Sequence, residues 1–281
     1  MGIVDFILNL AGLSLWLSWC SARLDPLARR PSASTLIGTL KRAEPRVMAS
    51  WYLPAGLVIL LVLRGVLYYE IGPAVDWNPS IELGAIAVPF RSQLLGRILL
   101  FSFVSFGVLL WVVYSWLLLL PLLVGEARPV EPVNRLVAQH LGPLSSLPAA
   151  LKALLPWFLS AMVWFGASFA LVQWKLIPAP LSFMHRVEQS MVLGMGVYLS
   201  LKYFLGTVLF LYLLSSYIYL GNHFCWDFVA AAGQRLTTPL RRLPLRVGKV
   251  DFAPVLLLAI LFLVAQWLER GLTLLYEHLP L

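Results

Sequence analysis

The stretch ILLFSFVSFGVLLWVVYSWLLLLPLLV decides the fold; it occupies residues 98–124 and contains no charged residue. A helix that crosses the hydrocarbon core of a bilayer needs about 20 predominantly apolar residues in succession. A segment in lipid must satisfy its backbone hydrogen bonds internally, as a helix does, or through a closed β-barrel. Barrel strands alternate polar and apolar residues, and this stretch does not. Residues 98–124 therefore predict a transmembrane helix.

Five other apolar runs extend this pattern along the chain. They occupy residues 3–20, 51–69, 154–174, 190–220 and 252–276. Of the 281 residues, 60% are hydrophobic and 12% are charged, whereas a soluble domain is about 25% charged. The sequence thus predicts an all-α, polytopic helical membrane protein with about six transmembrane helices.

Basic residues are concentrated in the loops that follow the first, third and fifth runs. Residues 21–49, 125–153 and 221–251 hold six, three and five Lys or Arg residues, which is 14 of the 21 in the chain. The positive-inside rule makes these loops cytoplasmic and puts both termini outside. The net charge of +8 then indicates contact with anionic lipid headgroups rather than nucleic acid, because the basic residues lie between apolar runs. We expect a multi-pass protein of the cell inner (plasma) membrane.

Two kinds of sequence mark recur with a period of about 100 residues, which suggests an internal repeat. Ser–aromatic pairs lie near the ends of the odd runs, and prolines lie near the starts of the even runs. The marks are Ser18-Trp19, Ser115-Trp116, Ser216-Tyr217, Pro54, Pro156 and Pro254. Aromatic residues at interfaces and proline in first helical turns would give similar marks without a repeat. We predict three repeated hairpins: residues 1–95 with an outer loop, 96–188 and 189–281.

Short amphipathic stretches interrupt the basic loops. Residues 133–141 and 226–236 place apolar side chains on one helical face, and residues 35–42 do so less regularly. Helices of this kind can lie flat in the headgroup region of a membrane. We therefore expect short interfacial helices between the spans.

The last hairpin carries the sharpest motif, LTTPLRRLP at residues 236–244, followed by GKVDFAP at 248–254. This resembles the YggT family of small membrane proteins, whose repeat reads approximately PLxPIRRIxP, then a Gly-rich step and Asp-hydrophobic-Ser-Pro. The resemblance covers residues 215–275, and residues 110–175 are similar to a degenerate copy. The chain departs from the family pattern in lacking one residue before Pro244, in having Ala253 for serine, and in having three hairpins where two are usual.

The motif residues can act together at the membrane surface. They are Pro239, Arg241, Arg242, Pro244, Asp251 and Pro254. The arginines would contact phosphate headgroups at about 1 kcal/mol each, and the first two prolines would stiffen the exit from the interfacial helix. Asp251 would cap the last span, with Pro254 in its first turn. This anchoring function and a surface that binds a partner protein both remain open.

Charged residues inside the runs are few. Lys202 in the fifth run and Glu269 in the sixth lie at compatible depths and could form a pair, although Lys202 could also snorkel to the interface. Arg64 is expected near the outer interface, mainly as a topology determinant. Asp5 and Asn9 share a helical face but are expected to be hydrated, because they lie near the terminus.

The sequence predicts no enzyme, no cofactor and no metal site, because no catalytic constellation or metal-ligand spacing is found; haem ligation by His223 is a minor alternative. The leading hypothesis is a non-enzymatic scaffold or assembly factor that contacts anionic lipid and a membrane protein partner. The YggT resemblance implies a role in cell division or envelope organisation, or, as for plastid relatives, in haem attachment during cytochrome b complex maturation. The alternatives are a small transporter or channel with Lys202 in the path and, third, a membrane enzyme.

Overall fold

The computed structural model describes residues 2–24, 51–75, 77–82, 86–90, 93–124, 137–180, 182–218, 221, 224–242, 246–247 and 250–279. Its long helices are α1 (Gly2–Leu24), α2 (Tyr52–Ile71), α3 (Leu95–Val124), α4 (Ala149–Gln173), α5 (Phe183–Leu199), α6 (Leu201–Tyr217), α7 (Phe224–Thr237) and α8 (Ala253–Glu277). Residues 137–141 are also helical. The predicted amphipathic stretch at 35–42 lies outside the described residues.

Six helical segments within these ranges are long and apolar enough to cross a membrane. They correspond to α1, α2, α3, α4, the pair α5–α6, and α8. Large apolar side chains point outward along them, with exposed fractions of 66% for Ile59 and 66% for Val163. Such exposure suits lipid rather than water as the surrounding solvent. The prediction of an all-α, polytopic membrane protein is confirmed.

The chain divides into two compact units. The first comprises Met1–Pro79 with Phe90–Leu110, and the second comprises Ser80–Pro89 with Trp111–Leu281. Helix α3 therefore contributes residues to both units. The division into hairpins at 1–95, 96–188 and 189–281 describes the sequence repeat and stays a prediction.

In the first unit, α1 packs against α2 and the first part of α3. Leu57, Leu61 and Phe106 form a buried cluster, with Leu15 and Trp16 of α1 packed against it. The Ser102 hydroxyl donates to the Leu61 carbonyl at 2.7 Å, so a polar contact also joins α3 to α2. Small and polar side chains at such contacts let transmembrane helices approach closely.

In the second unit, the most extensive helix contact is that of α4 with α5. A Cβ atom on Gly194 would lie 2.9 Å from the Trp157 carbonyl oxygen and 3.0 Å from Ala161 Cβ, so only glycine fits this contact. Tyr198 donates its hydroxyl to the Ala153 carbonyl across the same interface. Helix α8 packs against both α5 and α6.

The predicted fifth run, 190–220, is a pair of helices with a break at Ser200. Its hydroxyl donates to the Val197 carbonyl at 2.6 Å and accepts the indole N–H of Trp116 at 2.9 Å. The amide of Tyr203 bonds to the Ser200 carbonyl, three residues back, in a tight turn. Serine back-bonding of this kind commonly bends helices. The break therefore lies directly before Leu201, the first residue of α6, and two residues before Lys202.

Two small antiparallel hairpins lie in the connections. Strand β1 (Ser80–Glu82) pairs with β2 (Ala87–Pro89), and β3 (Arg246–Val247) pairs with β4 (Val250–Asp251). The second hairpin leads directly into α8. The Gly-containing step of the sequence motif therefore lies between two short paired strands.

Candidate functional site

A buried arginine lies at the centre of the first unit. Arg64 of α2 is 1% exposed, and its Nη2 atom is 2.6 Å from Oδ1 of Asp5 on α1. The Asp5 side chain is 31% exposed, so the surroundings of the protein reach the carboxylate of the pair but not the guanidinium. A charge buried in a transmembrane helix is costly unless it is paired, and here the partner is supplied by the neighbouring helix.

Neutral side chains complete the hydrogen bonds of this pair. Arg64 donates to Asn9 Oδ1 at 2.9 Å, to Ser105 Oγ at 3.0 Å and to the Tyr68 hydroxyl at 3.3 Å. Tyr68 and Asn9 in turn donate to the Asp5 carboxylate at 2.6 and 3.1 Å. Networks in which every member is satisfied rigidify the structure around them. Three helices, α1, α2 and α3, are joined by this Arg64 cluster.

Aromatic rings enclose the cluster. The Arg64 guanidinium lies 5.4 Å from the ring centroid of Tyr68 and 5.7 Å from that of Phe101. Trp77 packs edge-on against Tyr68 at 5.0 Å, and Phe90 lies 5.6 Å from Phe101. Cation–π contacts add most when water is excluded, as it is around a side chain that is 1% exposed.

The structure corrects the expectation that Asp5 and Asn9 are simply hydrated, because both accept hydrogen bonds from Arg64. Arg64 is buried between helices, and its role as a topology determinant stays a prediction. The reason is the packing of α1 on α2, which brings together residues 59 positions apart in sequence. The spacing of Asp5 and Asn9 on one helical face was the available signal, because such a polar pair facing a neighbouring helix suits a buried cation.

The predicted partners Lys202 and Glu269 are brought together in the second unit. Lys202 Nζ on α6 lies 3.0 Å from Glu269 Oε2 on α8. The lysine side chain is 18% exposed and the glutamate side chain 45%, so this pair is far more open than the Arg64 cluster. Asp5 precedes its partner Arg64 along the chain, whereas Glu269 follows its partner Lys202. Whether the pair has a functional role stays a prediction.

The motif residues occupy the connection between α7 and α8. Pro239, Arg241 and Arg242 belong to a 3₁₀-helix, Thr238–Arg242, and Asp251 ends β4. Pro254 is the second residue of α8 and is buried, as the first-turn expectation requires. The residue preceding α8 is Phe252, whose own side chain makes no capping hydrogen bond. Pro244, and the side chains of Arg241, Arg242 and Asp251, lie outside the described residues, so their contacts stay predictions.

The short amphipathic helices pack on protein. Their apolar side chains, the end of α3 and the middle of α6 form one buried cluster, which we call the platform: Leu118, Leu120, Val137, Leu141, Val208 and Ala232. Gly233 of α7 lies so close to α6 that a Cβ atom there would be 2.2 Å from Tyr212 Cγ. The faces that were expected to lie in the headgroup region are thus partly covered by other helices.

Exposed polar groups of α7 point away from the platform. Gln234 and Arg235 are exposed, and so are Thr238 and Pro239 at the start of the motif. This arrangement can present a polar surface that includes Arg235 at a fixed position relative to α6. In the described residues, no group of three or more His, Cys, Asp or Glu side chains could hold a metal ion. His223 lies outside those residues.

Comparisons with known proteins return nothing: no family model, no curated protein and no solved structure matches the chain. The resemblance of residues 215–275 to the YggT family therefore stays a prediction.

Proposed function

We propose that this chain is a non-enzymatic integral membrane scaffold or assembly factor of YggT type. Its basic cytoplasmic loops, with Arg241 and Arg242 at their centre, contact anionic lipid headgroups and a membrane protein partner. The spans lie in the cell inner membrane, with both termini outside. Under this proposal the helices are a support for a surface and do not form a route for a solute.

The observation that carries the proposal is the platform. Helix α7 is fixed against α6 through the close approach of Gly233 to Tyr212, and its buried side chains join those of residues 137–141. A surface held by a packed core loses little conformational entropy when a partner binds. Two cations of the spans, Arg64 and Lys202, have carboxylate partners on neighbouring helices at 2.6 and 3.0 Å, which suits a role in holding helices together.

We expect the double variant Arg241→Gln/Arg242→Gln to lose its preference for anionic lipid. Each arginine near an anionic surface contributes about 1 kcal/mol, so the combined loss is a factor of about 30 in relative affinity. Native mass spectrometry of the purified chain, equilibrated with phosphatidylglycerol and phosphatidylcholine, measures the preference. The same variant used as bait should lose a stoichiometric partner that the unaltered chain retains in mild detergent.

The matched control is Arg91→Gln/Lys175→Gln, which removes the same charge from the loops predicted to lie outside. This control should keep both the lipid preference and the partner. If the two double variants behave alike, Arg241 and Arg242 are not specifically responsible for the lipid preference or for partner binding, and the proposal fails. Solute flux in liposomes that is abolished by Lys202→Met would contradict the scaffold and favour the transporter.

The proposed topology predicts one-sided labelling of Cys225, which is exposed at the start of α7. In a Cys20→Ser background, a membrane-impermeant maleimide should label Cys225 only after the cells are permeabilised. A cysteine introduced at Ala179, exposed between α4 and α5, should be labelled in intact cells. The reverse pattern would put the basic loops outside and remove the basis for cytoplasmic contacts.

A further inference from the structure

Polar side chains form a continuous stripe on the exposed side of α8. We call Gln266, Glu269, Arg270 and Thr273 the polar stripe; their spacing of three and four residues puts them on one helical face. The stripe lines an open groove of about 540 Å³. Gln266 and Arg270 are exposed and make no hydrogen bond or ion pair with the described residues.

The depth of the stripe makes this exposure unusual. Gln266 is the fourteenth of the 25 residues of α8, so it lies about 20 Å from the first, at a rise of 1.5 Å per residue. A bilayer core is about 30 Å thick, which puts the amide well inside it. Polar and charged groups at this depth face protein or a water-filled cavity rather than lipid. The Gln266 amide therefore favours a polar occupant of the groove, which Glu269, Arg270 and Thr273 line nearer the end of the span.

We propose that this occupant is a second copy of the same chain, packed through α8. Two copies insert with the same orientation, so the twofold axis that relates them is perpendicular to the membrane and their α8 helices run parallel. Adjacent residues of a helix differ in height by about 1.5 Å. Each Glu269 therefore meets the Arg270 of the other copy at nearly the same depth, and two opposite-charge contacts form.

The amide of Gln266 is self-complementary as well. A glutamine amide both donates and accepts, so Gln266 can pair with Gln266 of the second copy across the axis. A lipid phosphate would form an ion pair only with Arg270 and would be repelled by Glu269. It would not reach Gln266, which lies one helical turn deeper. Charge complementarity thus favours a second copy over a lipid headgroup. The exposed side chains of Trp267 (75%) and Leu274 (55%) lie beside the stripe and would be covered at the same time.

Cysteine cross-linking tests the contact in native membranes. In a Cys20→Ser/Cys225→Ser background, Gln266→Cys should oxidise to a band at twice the mass of the 31.4 kDa chain. The matched control is Leu268→Cys, which is 57% exposed but lies on the opposite side of α8. The yield at position 266 should exceed that of the control by at least about tenfold, because a disulfide needs Cβ atoms about 4 Å apart. Equal yields, or a product of another mass, would overturn the proposal.

Charge reversal tests the pairing independently of the cross-link. The variant Arg270→Glu, and separately the variant Lys202→Glu/Glu269→Arg, place like charges opposite each other and should each lose self-association. The second variant keeps its internal pair with reversed sign. Co-expressed with different tags, the two should co-purify, since each then offers the charges that the other lacks. Self-association that survives in either variant alone contradicts the proposal, as does a monomer that retains a phospholipid through Arg270.

Discussion

Replacement of Asp5 by alanine is expected to destabilise the protein more than any other single change in the spans. The substitution leaves the Arg64 guanidinium, which is 1% exposed, with neutral partners only. Removing one member of a buried ion pair costs about 3–5 kcal/mol because the remaining charge is uncompensated. The free energy of unfolding, followed by circular dichroism during SDS titration in mixed micelles, should fall by that amount.

Three further variants separate charge from packing in the Arg64 cluster. Asp5→Asn keeps an acceptor for Tyr68 and Arg64 but removes the same charge, so we expect it to lose most of what Asp5→Ala loses, the difference being about 1 kcal/mol of hydrogen bonding. Arg64→Met should also cost less than Asp5→Ala, because the carboxylate left behind is 31% exposed and reaches water. The double variant Asp5→Leu/Arg64→Met should recover much of the stability, as apolar replacements of buried pairs do. If Asp5→Ala leaves the unfolding free energy unchanged, the pair does not hold the helices together.

Gly233→Ala is expected to displace α7 from α6. The added Cβ atom would lie 2.2 Å from Cγ and 2.7 Å from Cβ of Tyr212. The Cβ atom is fixed by the backbone, so no side-chain rotamer of Tyr212 relieves that contact. Overpacking of this kind costs about 1–3 kcal/mol, which outweighs the gain of about 0.5–1 kcal/mol when alanine replaces glycine in a helix. We expect a lower free energy of unfolding in the same SDS titration.

The control for this prediction is Gly107→Ala, where an added Cβ atom meets nothing within 4 Å. That variant should be unchanged or slightly more stable. In a Tyr212→Gly background all the side-chain atoms that an added methyl at position 233 would meet are absent, so Gly233→Ala should then cost little. A full penalty in that background would place the effect elsewhere than at the α6–α7 contact.

The positions of the spans follow closely from hydropathy. The predicted run at 51–69 corresponds to the helix Tyr52–Ile71, and the predicted run at 252–276 corresponds to the helix Ala253–Glu277. The run at 154–174 began earlier, at Ala149, so Pro156 lies two turns inside α4 and not in its first turn. Transmembrane helices tolerate an internal proline because neighbouring helices and side chains can satisfy the backbone groups that it frees, so α4 continues past Pro156. The break at Ser200 has no hydropathy signal, since both sides of it are apolar.

The sequence predicted only one of the two ion pairs between spans. Depth along two neighbouring runs suggested that Lys202 and Glu269 could meet. The same reasoning did not associate Arg64 with Asp5, because Arg64 was assigned to the interface and the terminus to water. The amphipathic faces of 133–141 and 226–236 were recognised, but whether such a face meets lipid or protein depends on what lies opposite it.

The sequence by itself determined that the chain crosses a membrane as helices, because the free energy of transfer into lipid is a sum over neighbouring residues and needs no knowledge of contacts. Only the tertiary structure decided which polar side chains meet. The Asp5–Arg64 pair, the Gly233–Tyr212 contact and the exposed face of α8 each depend on the rotation of one helix against another. Helix packing sets that rotation through side chains distant in sequence, and a single run does not encode it.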